Sequence, residues 1–166
     1  MTYLAHYSSP LGAITLASDG EALTGLWFDG QKYDRAILRG EQCEEAELPV
    51  FKEARRWLEL YFAGKNPGFR PKLRLMCSDF RKLVAEILLD VPFGDTQTYG
   101  EIAAEAEKRS GHKTSARAVG NAVGHNPISI IIPCHRVLGA GGQLTGYAGG
   151  IERKRYLLQK EQLQNE

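Results

Sequence analysis

Residues 131–137 read IIPCHRV, which sets a nucleophile, Cys134, beside a base, His135, at the end of an apolar run closed by Pro133. A lone cysteine after such a run is ordinarily a buried, inert thiol. Its neighbours here argue for chemistry. Arg136 follows, the second half of the chain is basic, and cationic surroundings lower a thiol's pKa and raise its thiolate fraction. A Cys–His hydrolase is one reading, although such enzymes take their base from a distant stretch of chain. Adjacent side chains on an extended segment also point to opposite faces, and no papain-like or caspase-like signature surrounds Cys134. Metal binding is weaker still, because Cys134 and His135 lack further ligands at suitable spacing.

The elements that must position this pair can be read on either side of it. Near the N-terminus, AITLAS and ALTGLWF flank Asp19-Gly20, a hairpin turn pair, and SSPLG before them is a second turn. Residues 48–62 space Phe51, Ala54, Trp57, Leu58, Tyr61 and Phe62 as the apolar face of a helix. AGKNPGFRP (63–71) breaks that pattern and predicts the connection between a small α/β domain over 1–72 and a second domain over 73–166. DFRKLVAEILLDVP predicts a helix capped by Asp79 and stopped by Pro92. TQTYGEIAAEAEKR and TSARAVGNAVGHN predict two more, the latter capped by Thr114 or Ser115. With SGHK between them they form a helix-turn-helix candidate. The last of these helices is thin, with Ala116, Ala118, Gly120, Ala122 and Gly124, which suits either tight helix packing or close approach to a partner. ISIII (128–132), between Pro127 and Pro133, reads as a short buried strand or extended segment. Residues 139–150 hold six glycines, enough for sharp turns or for a flat ligand against the backbone. IERKRYLLQKE closes the chain as a helix with a basic face.

Composition narrows the function classes. The chain has 166 residues and a net charge of +1, but residues 41–59 are rich in glutamate. From Lys108 to Lys160 the charges are Lys108, Arg109, Lys113, Arg117, Arg136, Arg153, Lys154, Arg155 and Lys160 against Glu152 alone. A basic half favours a polyanionic partner. Cys43, Cys77 and Cys134 form neither a disulfide framework nor a zinc spacing, so a reducing, cytoplasmic setting is expected. The N-terminus has no signal-peptide pattern and no apolar run reaches membrane-spanning length.

VPFGDTQTYGEIA, ARAVGNAVGHNP, IIPCHRV, GYAGG and LLQKE, in that order, closely resemble the O6-alkylguanine-DNA alkyltransferases, the suicide DNA-repair proteins. The resemblance is specific over about residues 80–161. It implies a mixed α+β, two-domain fold: a small ribonuclease H-like sheet-and-helix domain, then a mostly helical, winged-helix-like domain with the helix-turn-helix. It implies that Cys134 accepts the alkyl group, that His135 deprotonates it through a water, and that Glu161 orients and charge-balances His135. Tyr99 would donate toward the flipped guanine, and Asn126 would tie the helix-turn-helix to the active-site turn. Arg117 would fill the gap left by the flipped base, with Thr98, Ala116, Ala118 and Arg136 also meeting DNA. The carbonyls of Cys134 and Val137 would accept from the guanine amino group, and Tyr147, Ala148 and Gly149 would line the pocket. The implied partner is double-stranded DNA carrying O6-alkylguanine, with no cofactor, no metal and a monomeric protein.

These roles fit the residue chemistry. Moving an alkyl group from oxygen to sulfur is a displacement at saturated carbon, which suits a thiolate. The thioether product has no acyl carbon for water to attack, so one protein repairs one lesion. The target lies inside a duplex and must be extruded. Several departures from the family pattern matter. Val84-Ala85 stands where a Val-Trp pair is common, and EKRSGHK is expected to lengthen the helix-turn-helix connection. Ala148 lacks the hydroxyl that serine-bearing relatives offer the guanine oxygen, and the N-terminal zinc ligands of some relatives are absent, with only His6 nearby. Three competing classes remain: a non-catalytic lesion-binding relative, which would lack the cysteine; a plain helix-turn-helix regulator, indifferent to Cys134; and a multiple-turnover thiol hydrolase.

Overall fold

A computed structural model of the protein describes residues 1–32, 38 and 40–165, with side chains described as far as Gln162. The chain is mixed α+β and divides into two compact units. One is Met1–Met76 with Pro127–Ser129, the other Cys77–Asn126 with Ile130–Glu166.

In the first unit, β1 (Thr2–Ser9), β2 (Gly12–Ser18), β3 (Leu23–Phe28) and β4 (Cys43–Glu45) form a sheet in the order β3-β2-β1-β4. The SSPLG turn joins β1 to β2 and the Asp19-Gly20 turn joins β2 to β3, both pairs antiparallel. Asp19 Oδ1 accepts from the amides of Glu21 and Ala22, and Gly20 takes φ 109°, which favours glycine. β1 and β4, which the sequence patterns did not announce, pair in parallel. Single bridges from Leu73 and Ile128 cover the β3 edge, which would otherwise present an open row of amides and carbonyls. α1 (Pro49–Phe62) begins with proline at its first turn, where a missing amide costs nothing. It buries Phe51, Ala54, Trp57, Leu58 and Tyr61, and the Trp57 and Tyr61 rings stack at 5.3 Å.

In the second unit, α2 (Asp79–Leu89), α3 (Tyr99–Ser110) and α4 (Ala116–Gly124) pack on one another. The cap of α2 is Ser78, whose Oγ accepts from the Arg81 amide; Asp79, the expected cap, is the first helical residue, where its charge suits the helix N-terminus. Val84 and Ala85 are both buried in this cluster. α3 starts with a capping box in which Thr98 accepts from the Glu101 amide and Glu101 accepts from the Thr98 amide. It ends at Gly111 in the left-handed conformation (φ 76°). Much of EKRSGHK belongs to α3 rather than to the connection. It is helical through Ser110, and the connection is Gly111–Ser115, with Ser115 Oγ capping α4.

The buried run 128–132 is not a strand. Only Ile128 makes a bridge, and the following residues turn. Prolines at both ends remove ladder donors. Ile130 is also held at φ 69°, a region that costs a β-branched residue of order 1–3 kcal/mol. After this come β6 (Val137–Leu138), paired in parallel with β5 (Gln97–Thr98), and finally α5 (Ile151–Asn165). Among the described residues, no helix is long and apolar enough to cross a membrane, and no group of three or more His, Cys, Asp or Glu is placed to hold a metal ion. His6 pairs with Glu45 at 2.8 Å.

Candidate active site

The Cys134 turn is built by short-range hydrogen bonds. Pro133 sits at φ −80°, ψ 64°, and the Cys134 amide donates to the Ile132 carbonyl at 2.8 Å, the geometry of an inverse γ-turn. A 3₁₀ turn over Cys134–Arg136 follows, with the Arg136 amide on Pro133 O and the Val137 amide on Cys134 O. At three residues per turn, successive side chains diverge by about 120°. Cys134 and His135 therefore leave the backbone in different directions, for a different reason than the extended segment expected from sequence. Asn126, just past α4, donates from Nδ2 to Ile132 O at 2.9 Å. The end of the thin helix is thereby fastened to the carbonyl that also shapes the cysteine turn.

Cys134 is 4% exposed. Burial pushes its thiol up, opposed by side-chain hydrogen bonding with Asn126 and Tyr147 and by the positive charge of Lys154. At rest the group is a thiol. It becomes a nucleophile only by giving up its proton as it reacts.

His135 and Glu161 are 0% and 1% exposed. His135 Nε2 donates to Glu161 Oε2 at 2.5 Å, and Arg136 donates from Nε to Glu161 Oε1 at 2.7 Å and from a terminal nitrogen to Val91 O at 2.8 Å. Burial acts to raise the Glu161 carboxyl, but the hydrogen bond from His135 together with the hydrogen bond and charge of Arg136 prevails and holds it at about 2. Since Arg136 already balances that carboxylate, a second buried cation is disfavoured. Burial holds His135 below its ordinary value despite Glu161. The neutral tautomer with Nε2–H on Glu161 leaves Nδ1 as the basic atom. Arg136, expected at the DNA surface, is instead a buried partner of Glu161, with its guanidinium 5.8 Å from the Phe93 ring centre. Two of its donors go to Glu161 and Val91.

Tyr99 enters from α3. The β5–β6 ladder pairs Gln97 with Val137 and Thr98 with Leu138, so the first residue of α3 lies beside the segment that leaves the cysteine turn. Thr98 is half-buried and occupied by capping. On α4, Arg117 and Ala116 are exposed, Ala118 is half-buried, and Ala122 is buried. A Cβ on Gly120 would stand 3.8 Å from the Tyr99 ring. The thinness of α4 thus serves internal packing at Gly120 and Ala122 and leaves the Ala116–Arg117 end open. Tyr147, Ala148 and Gly149 form a turn closed by the Gly150 amide on Tyr147 O. Arg153 then donates to Gly149 O, and α5 begins.

Sequence reasoning passed over Lys154 as one more surface cation. It is fully buried, and its Nζ donates to Val137 O at 2.5 Å. Burial pushes its ammonium down to about 8, opposed by attraction to Cys134. The available signal was helical spacing: 154, 157 and 161 share one face of α5, and Leu157 and Glu161 are buried. The Val137 carbonyl, expected to receive a guanine amino group, thus already accepts one bond and keeps one lone pair. Lys154→Met is expected to slow iodoacetamide modification of Cys134 at neutral pH by about tenfold, the equivalent of one pKa unit. A change under about twofold would mean that the Lys154 charge does not reach the thiol.

Comparison with known proteins places this geometry in a group. A family described as "6-O-methylguanine DNA methyltransferase, ribonuclease-like domain" matches residues 2–75, and one described as "6-O-methylguanine DNA methyltransferase, DNA binding domain" matches residues 79–163. The methylated-DNA–protein-cysteine methyltransferase of Methanosarcina acetivorans is 45% identical over 159 residues, covering 96% of this chain and 97% of that protein. The crystal structure of Mycobacterium tuberculosis O6-methylguanine methyltransferase superposes with a TM-score of 0.83 at 43% identity, covering 99% of this chain and 94% of that one. The structure of Mycobacterium tuberculosis OGT in complex with DNA gives a TM-score of 0.83 at 42% identity, covering 98% and 94%.

Proposed function

The chain belongs to the 6-O-methylguanine DNA methyltransferase family, a methylated-DNA–protein-cysteine methyltransferase that reverses DNA damage directly, and from that premise we propose how its own residues do so. The observation that carries the reading is a buried thiol, Cys134, in one 3₁₀ turn with a buried histidine whose partner Glu161 also accepts from buried Arg136. The Cys134 sulfur attacks the alkyl carbon on O6 of an extruded guanine. The carbon–oxygen bond breaks as the carbon–sulfur bond forms. The thiol proton passes through a water to His135 Nδ1, with Glu161 holding Nε2–H, and Lys154 offsets the negative charge on sulfur before it is lost to the new bond. Tyr99 donates a hydrogen bond to the departing purine anion, which takes up one proton from solvent as His135 returns the thiol proton to solvent, so that guanine and a neutral thioether result. Asn126 holds the turn, and Tyr147, Ala148 and Gly149 flank the flipped base.

Extrusion leaves a gap in the duplex, and base flipping costs a few kcal/mol. Arg117, exposed on the open end of α4 beside Ala116 and Ala118, is the side chain suited to hold the gap. The chemistry belongs to residues 73–166, with 1–72 in support. The setting is a reducing cytoplasm, where Cys134 stays a thiol. Arg117→Ala is expected to slow repair of duplex substrate by at least about tenfold while changing reaction with the free O6-methylguanine base by less than about twofold. Equal losses on both would remove Arg117 from this role. The single-turnover character is tested by titrating the protein with excess O6-methylguanine duplex. Lesion loss should stop at one equivalent per protein, and continued turnover would refute the thioether end point.

A further inference from the structure

Tyr99 is held at two points. Its ring lies against the Cα side of Gly120, where an added Cβ would be 3.8 Å from Cδ1 and Cε1. Its phenol oxygen is 3.3 Å from Thr145 Oγ1, a bond spanning 46 residues of chain. Thr145 is itself wedged. A Cβ on Gly139 would come within 2.7 Å of Thr145 Cγ2, so the threonine methyl fills the space that only glycine leaves open there. The loop around it is closed by the Gly139 amide on Gln143 O and the Gly142 amide on Gly139 O. Two hydroxyls that face each other share one hydrogen bond, and each carries a single proton. Only when Thr145 donates does Tyr99 keep its own proton for another acceptor.

We propose that Thr145 is a positioning residue for alkyl transfer. Its hydroxyl donates to Tyr99 and so points the phenol O–H at the departing purine, and Gly139 is glycine so that Thr145 can stand there. This rests on the reading of Tyr99 as donor. A phenol whose oxygen accepts a hydrogen bond is polarised in the direction that strengthens its own donation. Without Thr145 the O–H can rotate away, and the leaving purine departs with its negative charge less well neutralised.

The test is the single-turnover rate of methyl transfer from an O6-methylguanine duplex, with DNA affinity and Tm measured on the same proteins. Thr145→Val keeps the wedge and loses the donor, and should slow transfer by about fivefold, the scale of one neutral hydrogen bond, with duplex affinity unchanged. Thr145→Ser keeps the donor and should restore most of the rate. Gly139→Ala, which displaces the Thr145 methyl, should reproduce the Thr145→Val loss. Tyr99→Phe should be slower than either, and adding Thr145→Val to it should cost nothing further. Thr145→Val at the wild-type rate while Tyr99→Phe is slow would overturn the role of Thr145 and leave that of Tyr99 standing. Losses that multiply in the double variant would overturn it too, since Thr145 would then act elsewhere. Tyr99→Phe at the wild-type rate would overturn the donor reading and this inference with it.

Discussion

Replacing Cys134 by serine is expected to abolish methyl transfer while leaving duplex affinity within about twofold of wild type. The loss of rate should be at least on the order of a thousandfold, about 4 kcal/mol of barrier. Serine fits the space, and Asn126 and Tyr147 can still hydrogen-bond its hydroxyl. What fails is nucleophilicity. A thiol reaches its anion near neutral pH with help from a base and a cation, whereas an alcohol does not. Serine–histidine pairs succeed in acyl transfer because a carbonyl carbon accepts an incoming oxygen and an oxyanion hole carries the charge. A saturated carbon offers neither route. The measurement is disappearance of O6-methylguanine from a duplex oligonucleotide under excess protein, with binding followed by fluorescence anisotropy. A serine variant that transfers methyl within tenfold of wild type would show that sulfur is not the acceptor.

Glu161→Gln is expected to cost both stability and rate. Glu161 gives one oxygen to His135 and the other to Arg136, with the Gly94 amide 3.4 Å from Oε1. An amide keeps one acceptor and sets an NH₂ against a donor, and it leaves Arg136 buried without its counter-charge. Breaking such a buried pair from one side costs about 3–5 kcal/mol. His135 also loses the partner that fixes its tautomer, so transfer should slow by about a hundredfold or more. The pH dependence carries the same signature. Above about pH 4.3, the ordinary glutamate value, the contribution of Glu161 is present in full. As pH falls from there toward about 2 the unfolded chain binds a proton at this residue that the native protein refuses, and stability drops. His135 adds a loss of the same sign at higher pH. Below about 6.5 the unfolded imidazole is protonated while burial keeps the native one neutral. Asp19 also sits at about 2 despite its partial burial, held there by backbone amides and Arg74, so the readout is the difference between wild type and variant. Urea unfolding across this range should show a shallower acid limb in Glu161→Gln. An unchanged limb would mean that Glu161 is not ionised in the native array.

Much of the architecture was legible because it rests on short-range signals. Apolar spacing announced α1 and α2, Asp19-Gly20 announced its hairpin, and the Thr114-Ser115 pair announced the start of α4. The run 128–132 misled because β-branched composition predicts a strand only where amides can pair. Two prolines and a left-handed Ile130 turn the chain instead. β4, only three residues long, is defined by its pairing with β1 far back along the chain rather than by its own pattern. At the site, the chemistry of Cys134 and His135 was visible as adjacent letters. Lys154 and Arg136 were not, because burial of a cation is a tertiary fact: each is inside only because a carbonyl or carboxylate elsewhere in the chain receives it. Thr145 and Gly139 were hidden for a similar reason, being complementary in shape across a loop of glycines.

The central claim is that Cys134 takes the alkyl group. A duplex carrying O6-methylguanine with an isotopically labelled methyl, incubated with equimolar protein and followed by peptide mapping, tests it most directly. The account predicts one labelled methyl per protein, on the peptide containing Cys134, with the guanine in the duplex restored. Label on Cys43 or Cys77, or an unlabelled Cys134 peptide in protein shown to be bound to the lesion, would contradict it.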